Sequence, residues 1–309
     1  MLSDFGIGVL LAVCTALLVT PIVKRIAHRL GAVDMPDPRK IHKEPMPRLG
    51  GLGIYCAFLA GMLFKGSWDK DIYIILAGST IILVLGILDD IYQLSAKTKL
   101  LGQIVAALVP VLWGIRIEWV GGLFSGNYFY FEEFSIPITI FWIVAFTNVV
   151  NLIDGLDGLA AGVGAIGCFT IAFLALQAGY GETAYIYGVL SAAIVGFLPY
   201  NFNPASIFMG DTGSMFIGYT IALFSVDGVV KTAATLSLLV PAVVLGLPIM
   251  DTAFAIVRRY HNGVPIFKPD KGHIHHRLLA LGLSQREAVL IMYAITAALG
   301  IVAMLIAKL

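Results

Sequence analysis

Long apolar runs constrain the fold of this chain more than any other feature. A helix needs about 20 mostly apolar residues to cross the hydrocarbon core of a bilayer. Ten stretches meet or approach this length: 5–23, 49–64, 72–88, 100–116, 136–150, 159–178, 184–199, 215–230, 232–257 and 288–307. The sequence therefore predicts an all-α polytopic membrane protein with about ten transmembrane helices. We expect residues 1–309 to form a single integral membrane domain.

The composition agrees with a membrane protein and excludes several other classes. Only 13% of the residues are charged and 59% are hydrophobic, whereas soluble domains carry about 25% charged residues. A soluble enzyme, a disordered chain and a disulfide-stabilised secreted scaffold are therefore excluded. The first apolar run follows no Lys or Arg and has no small-residue cleavage site before Lys24, so we interpret it as a retained span.

Two segments depart from simple spans. The ninth run contains Pro241 and Pro248, which predict a bend or break there. The stretch 117–134 alternates aromatic and polar residues around Ser125-Gly126-Asn127, a pattern typical of a β-hairpin. We expect this hairpin to lie on the outer surface.

The distribution of basic residues predicts the orientation. Fifteen of the 20 Lys and Arg residues fall in one alternating set of loops: 24–48, 89–99, 151–158, 200–214 and 258–287. Because cytoplasmic loops carry the excess of Lys and Arg, these loops are predicted to face the cytoplasm and both termini the outside. The net charge of +1 gives no reason to expect a nucleic-acid partner.

Acidic residues concentrate on the same predicted side, often where a span meets its loop. Asp89 and Asp90 end the third run, where two adjacent carboxylates repel each other or bind a cation; ordinary solvated acids remain the alternative. Ionisable groups at membrane depth are expensive and usually functional. A transporter, the alternative from another class, would place such groups near mid-span, so the pattern favours chemistry at the inner membrane surface.

The segment between the fifth and sixth runs is the first candidate site. Asn148, Asn151 and Asp154 are three residues apart and can share one face of a helix end. Gly155 permits close approach of the backbone to a ligand. A capped helix–helix turn with Asp157 as N-cap is the alternative.

The segment before the eighth run is the second. Asp211-Thr212-Gly213-Ser214 precedes an apolar run, as at a helix N-terminus. Such an end binds anions, and its aspartate can hold a metal that bridges phosphates. Phe208 either stacks on a base or anchors the chain at the membrane interface.

Two basic loops complete the set. His273, His275, His276 and Arg277 suit phosphate contacts as donors, while a zinc site is disfavoured because HExxH spacing and loop cysteines are missing. The proline-stiffened loop 34–51 carries Lys43 and Arg48, which suits a nucleotide or an anionic headgroup. A plain positive-inside signal is the alternative for each loop, although three histidines among four residues exceed what it needs.

Five motifs in this order resemble the polyprenyl-phosphate N-acetylhexosamine-1-phosphate transferases over essentially the whole chain. They are DxPxxRKxHxxPxPRxGG, Asp89-Asp90, NxxNxxDGxDGLAAG, FMGDTGS and HIHHR. Within that superfamily, Asp251 in Pro248-Ile-Met-Asp251-Thr and the segment HIHHRLLALGLSQR are similar to the WecA/TagO branch. The alternative within the superfamily is an MraY-like phospho-MurNAc-pentapeptide transferase.

The resemblance implies an activity and its requirements. The expected reaction transfers GlcNAc-1-phosphate from UDP-GlcNAc to undecaprenyl phosphate and releases UMP, as the first step of a cell-envelope glycopolymer. Mg²⁺ or Mn²⁺ is the implied cofactor. The implied protein is a multi-pass homodimer of the plasma membrane, with its active site built from the cytoplasmic loops. The short inner loops also favour a small sugar over a peptide-bearing donor.

Residue roles follow from the same resemblance. The implied catalytic residues are Asp89, Asp90, Asp154, Asp157, His275 and His276. The implied metal ligands are Asp211 and Asp154. The implied donor-binding residues are Lys43, Arg48, Asn148, Asn151, Gly155, Leu156, Asn203, Phe208, His273 and Arg277. The MraY branch has a lysine soon after its aspartate pair; here Lys97 and Lys99 come later, and neither is assigned a role.

Overall fold

The computed structural model describes residues 2–36, 44–66, 68–121, 128–231, 234–263 and 272–307, without the side chains of 2–3, 228–231 and 234–237. Within these ranges the chain is overwhelmingly helical. Its helices are α1 (Leu2–Leu30), α2 (Gly50–Lys65), α3 (Lys70–Tyr92), α4 (Ala96–Leu112), α5 (Ser135–Leu152), α6 (Leu159–Gln177), α7 (Gly181–Asn201), α8 (Gly210–Lys231), α9 (Ala234–Val244), α10 (Gly246–His261), α11 (Ile274–Ala280) and α12 (Gln285–Ile306).

Every apolar run of the sequence coincides with a helix or, for the ninth run, with a pair of helices. In the described part of the chain, six helices are long and apolar enough to cross a membrane, and a bent pair makes a seventh candidate. The prediction of a polytopic α-helical membrane protein is confirmed. The α2 and α4 helices have only 16 and 17 residues, so the count of ten spans stays a prediction, as does the position of the termini.

The ninth run is broken, as its prolines predict. The helices α9 and α10 meet at an angle of 74°. Pro241 lies within α9 and Pro248 within the first turn of α10. Because proline lacks an N–H group and crowds the preceding turn, one straight helix is disfavoured here. On α10, Asp251 is buried, whereas Met250 and Phe254, which are one turn apart, are exposed.

Two short antiparallel sheets join the helices. In the predicted hairpin, β3 (Trp119–Gly121) pairs with β4 (Tyr128–Tyr130), with Gly121 opposite Tyr128. This confirms the hairpin, while its turn at 125–127 lies outside the described residues. A second sheet pairs β1 (Val33–Asp34) with β2 (Met46–Pro47). It was not predicted, because two-residue strands beside prolines carry no alternating pattern.

The α8 helix is the central element of the bundle. Its residues from Thr212 to Asp227 are all buried, which is typical of a helix surrounded by other helices. Glycines allow its first turn to be approached closely: a Cβ built on Gly51 of α2 would clash with the backbone of Gly213, and one on Gly86 of α3 would lie 2.5 Å from Cα of Thr212. The first turn of α8 is therefore enclosed by α2 and α3.

Candidate active site

Asp90, at the end of α3, caps the N-terminus of α8. Its Oδ1 accepts a hydrogen bond from the amide of Asp211 at 3.0 Å. Its Oδ2 accepts from the amide and the hydroxyl of Thr212, at 2.9 and 2.6 Å. These amides have no partner within the helix, and a carboxylate also complements the positive end of the helix dipole. Asp90 therefore fixes the position of Asp211.

The backbone before α8 is also fixed by close packing and hydrogen bonds. Gly210 has a φ of +70°, and a Cβ there would clash with the carbonyl of Arg48, so glycine is required. The amides of Gly50 and Gly51 donate to the carbonyls of Phe208 and Met209 at 3.0 and 2.9 Å. The glycine pair of the 34–51 loop thus packs against the FMGD segment.

Lys99 bridges two of the predicted site aspartates. Its Nζ lies 2.7 Å from Oδ2 of Asp89 and also contacts Oδ2 of Asp211. The other oxygen of Asp89 accepts from the amide of Leu94 at 2.8 Å, in the turn that leads to α4. This turn brings Lys99 back beside the two acids. Lys99 was left unassigned by the sequence, and its position makes it a member of the site.

The two asparagines at the end of α5 bind different partners. Asn151 donates from Nδ2 to Oδ1 of Asp211 at 2.9 Å and to Oγ of Ser214 at 2.8 Å. Asn148 instead donates to Oε1 of the buried Gln103 at 2.7 Å. Asn151 thus orients Asp211 directly, and Asn148 joins α5 to α4. A polar Gln103 inside an apolar run was the signal that could have revealed this pair.

A cavity of about 480 Å³ opens beside Asp211, within the size range of small-molecule sites. Nine of the predicted site residues line it: Arg48, Asp154, Gly155, Leu156, Asp157, Asn203, Phe208, Asp211 and His276. Asp34 and Gln285, which were not predicted, line it as well. The cavity lining therefore combines carboxylates, an arginine, an aromatic ring and an imidazole.

Arg48 connects the β1–β2 sheet to the capping acid. Its guanidinium lies 3.4 Å from Oδ1 of Asp34 and 3.7 Å from Oδ1 of Asp90. An arginine between two carboxylates is held in one orientation and keeps a positive charge at the cavity wall.

The floor of the cavity is a hydrogen-bonded loop junction. Oδ2 of Asp157 accepts from Nδ2 of Asn203 and from the amide of Ala205, both at 3.0 Å. Asn203 also donates to Oε1 of Gln285 at 2.8 Å. Asp157 thus connects the loop after α5 to the loop before α8, and Gln285 adds the first turn of α12.

The three histidines of HIHHR lie in different surroundings. His273 is buried and its Nδ1 lies 2.8 Å from Oδ2 of Asp251. His275 is buried against Gly155, where a Cβ would lie 2.7 Å from Nε2 of His275. Burial, followed by the neighbouring histidine charges, lowers the pKa of His275 to about 4. His276 alone of the three lines the cavity.

Not every predicted donor-binding residue belongs to this arrangement. Arg277 is exposed on α11 and is not part of the cavity wall, because it lies on the next helical position after His276 and turns away. Lys43 falls in the range 37–43, outside the described residues. Three more predicted residues, Asn148, His273 and His275, also lie outside the cavity wall, where Asn148 pairs with Gln103 and His273 with Asp251.

The donor set of the site suits a hard divalent cation. Within the described residues, no three His, Cys, Asp or Glu side chains already form a metal cluster. Mg²⁺, however, is usually bound by one or two carboxylates together with substrate phosphates and water, and Asp211 and Asp154 line one cavity. Burial, and then the negative charges of Asp211 and Asp90, raise the pKa of Asp154 to about 8. A nearby cation would favour its ionised form, so the residues fit such an ion.

The comparisons with known proteins agree on one family. The model of glycosyl transferase family 4 matches residues 72–229. A Bacillus subtilis protein, "Probable undecaprenyl-phosphate N-acetylglucosaminyl 1-phosphate transferase", is 48% identical over 94% of this chain and 81% of its own length. A Mycobacterium tuberculosis "Decaprenyl-phosphate N-acetylglucosaminephosphotransferase" is 39% identical over 93% of this chain and 78% of its own. An Escherichia coli "Undecaprenyl-phosphate alpha-N-acetylglucosaminyl 1-phosphate transferase" is 27% identical over 91% and 78%.

Proposed function

This chain belongs to glycosyl transferase family 4, and we propose that it transfers GlcNAc-1-phosphate from UDP-GlcNAc to undecaprenyl phosphate, with release of UMP. The observation that carries the proposal is the 48% identity to a relative of that name over 94% of the chain. The cavity supports it, because six of its predicted residues flank Asp211 on two adjoining loops, 154–157 and 203–208.

The reaction is a phosphoryl transfer between two anions. An oxygen of the lipid phosphate forms a bond to the sugar-side phosphorus of the donor, and the bond from that phosphorus to UMP breaks. A phosphomonoester has its second pKa near 6, so the acceptor is largely dianionic at pH 7 and needs little help from a base. The work of the protein is therefore positioning and charge neutralisation.

The residues around Asp211 divide this work. We assign Asp211 and Asp154 as the ligands of Mg²⁺ or Mn²⁺, which when bound would neutralise phosphate charge. Asn151 orients Asp211 through a 2.9 Å hydrogen bond, and Asp90 fixes its backbone. Lys99 and Arg48 bring positive charge to the same end of α8. Preorganised charges of this kind stabilise a transition state without further rearrangement.

The rest of the cavity serves the donor. We assign the nucleotide to the wall formed by Phe208, Leu156 and Gly155, which offers an aromatic face and a close backbone. His276 and Asn203 supply polar groups for the diphosphate and sugar. The acceptor approaches from the bilayer, and the positive-inside pattern supports a cytoplasmic position for this end of the bundle.

The test is UMP release by the purified protein in lipid nanodiscs, supplied with undecaprenyl phosphate and Mg²⁺. With UDP-GlcNAc we expect UMP and a lipid-linked GlcNAc phosphate in equal amounts. Parallel reactions with UDP-GalNAc and with UDP-MurNAc-pentapeptide are expected to be slower by about one order of magnitude or more. A site built to pair a hydroxyl rejects the epimer, and the short inner loops offer little surface for the peptide. Turnover of the pentapeptide donor alone would overturn the choice of sugar, and no UMP from any donor would overturn the transferase activity.

A further inference from the structure

The buried pair formed by Asp251 and His273 has no part in the reaction as described so far. Asp251 lies on α10, beyond the 74° bend of the ninth run, and it does not line the cavity. Both oxygens of its carboxylate are used: Oδ2 lies 2.8 Å from Nδ1 of His273, and Oδ1 accepts from the amide of Ile274 at 3.0 Å. The side chains of Asp251 and His273 are 4% and 8% exposed, so the pair is shielded from water.

The helix that Asp251 contacts needs support from outside. The α11 helix has seven residues, and the side chain of its N-cap residue, His273, makes no capping hydrogen bond. Helices this short are unstable alone. The carboxylate of Asp251 supplies the missing acceptor and the negative charge that a helix N-terminus favours. Arg258, two turns further along α10, packs its guanidinium against Gly272.

The position of α11 determines the cavity wall. The rings of His273 and His275 are parallel, with centroids 5.7 Å apart, and those of His275 and His276 are 4.3 Å apart. His275 in turn packs against Gly155, and His276 lines the cavity. A continuous series of contacts therefore runs from Asp251 through the three histidines to the donor-binding loop.

We infer that Asp251 is a positioning residue for the transferase reaction: it anchors α11 and fixes the tautomer of His273, and so places the histidines at the cavity. A carboxylate can only accept hydrogen bonds, so Nδ1 of His273 is the donor and a neutral His273 has an unprotonated Nε2. This inference rests on the proposed function for its kinetic consequences, while its structural consequence is independent of it.

Two substitutions separate the two parts of this role. Asp251→Ala removes both acceptors, so we expect the amides of 274–280 to exchange hydrogen faster and the KM for UDP-GlcNAc to rise. Asp251→Asn keeps an oxygen for the amide of Ile274 but offers an N–H group to Nδ1 of His273, which forces the opposite tautomer. We expect α11 to stay protected in this variant while kcat falls about tenfold, by analogy with the loss of the carboxylate partner of a metal-bound histidine.

The experiment measures hydrogen exchange by mass spectrometry and kcat and KM by UMP release, with both variants in nanodiscs. Thr252→Ala is the matched control, because the Thr252 hydroxyl is buried and makes no hydrogen bond among the described residues. Unchanged exchange in Asp251→Ala would overturn the anchoring role. A wild-type kcat in Asp251→Asn would overturn the tautomer role. If the wild-type protein releases no UMP, the proposed function fails, and the exchange measurement still decides whether Asp251 anchors α11.

Discussion

Asp90 accepts two hydrogen bonds from Thr212, one from the amide at 2.9 Å and one from the hydroxyl at 2.6 Å. Its neighbour Asp89 makes no use of α8 in this way: it binds the turn at Leu94 and the amine of Lys99. Consecutive helical residues point about 100° apart, so two acids that look like one motif in the sequence serve two helices. Asp90 acts as a cap and Asp89 as a partner of the site lysine.

This division predicts that two matched substitutions will affect different properties, stability in one case and turnover in the other. Asp90→Ala should lower the free energy of unfolding by about 1–2 kcal/mol, as the loss of a helix cap does, because three donors at the start of α8 lose their acceptor. Asp89→Ala should lower kcat more than stability. Thermal unfolding in detergent and UMP release, measured on both variants, check this. Equal loss of stability in the two variants would contradict the assignment.

Lys99 should be indispensable for turnover. Its amine is the contact that Asp89 and Asp211 share, so Lys99→Met leaves two acids facing each other without compensation. We expect kcat to fall about 100-fold or more, the usual effect of removing one preorganised charge or donor. Lys97→Met is the matched control, because Lys97 is exposed on the same helix turn and should keep its activity. Wild-type turnover in Lys99→Met would show that Lys99 has no role in the reaction.

Asp211 should be required for metal binding but not for folding. Asp211→Asn keeps the size of the side chain and an oxygen that can accept from Asn151, while it removes the charge that a hard cation needs. We expect Mn²⁺ binding, followed by electron paramagnetic resonance, to weaken by at least about tenfold, with little change in the unfolding temperature. The control is Glu133→Gln, an exposed residue beyond the hairpin. Unchanged Mn²⁺ affinity in Asp211→Asn would contradict the ligand assignment.

Much of the fold could be predicted because apolar runs and prolines act locally. The ten runs coincide with helices, and Pro241 and Pro248 mark a real bend. The β1–β2 sheet was missed, because its strands are two residues long and too short to show a period. The number of membrane crossings depends on helix length and side-chain exposure together, which periodicity alone does not provide.

The sequence predicted many residues of the candidate site but not the hydrogen bonds and ion pairs that join them. The family resemblance implied roles for Asp154, Asn203 and Phe208, and the structure places all three in the lining of one cavity. The residues that orient the site were not predicted, because they are distant in sequence from their partners. Lys99 lies 112 positions from Asp211, and Gln103 lies 45 positions from Asn148. A single lysine after a helix cap, or a single glutamine in an apolar run, carries no sequence pattern that predicts which residue it contacts.

Buried His275 should make the protein sensitive to acid. The pKa of His275 is lowered to about 4, first by burial and then by the charges of His276 and His273, whereas an unfolded histidine titrates near 6.5. The unfolded chain therefore binds the extra proton first, and the stability that neutral His275 provides is lost as the pH falls from about 6.5 to about 4. The unfolding temperature of the wild type should fall more steeply across this range than that of His275→Gln. Parallel curves for the two proteins would show that His275 does not titrate in this way.

Membrane sidedness gives the last prediction. Fifteen of the 20 Lys and Arg residues fall in the set of loops that the sequence predicts to be cytoplasmic. Ser284 lies beside Gln285 at the cavity, whereas Glu133 follows the β3–β4 hairpin at the other end of α5. In a background without Cys14, Cys56 and Cys168, a membrane-impermeant maleimide applied to whole cells should label Glu133→Cys but not Ser284→Cys. After the cells are permeabilised, both variants should be labelled, which controls for accessibility. Labelling of Ser284→Cys in intact cells would place the cavity outside, where a cytoplasmic nucleotide sugar cannot reach it.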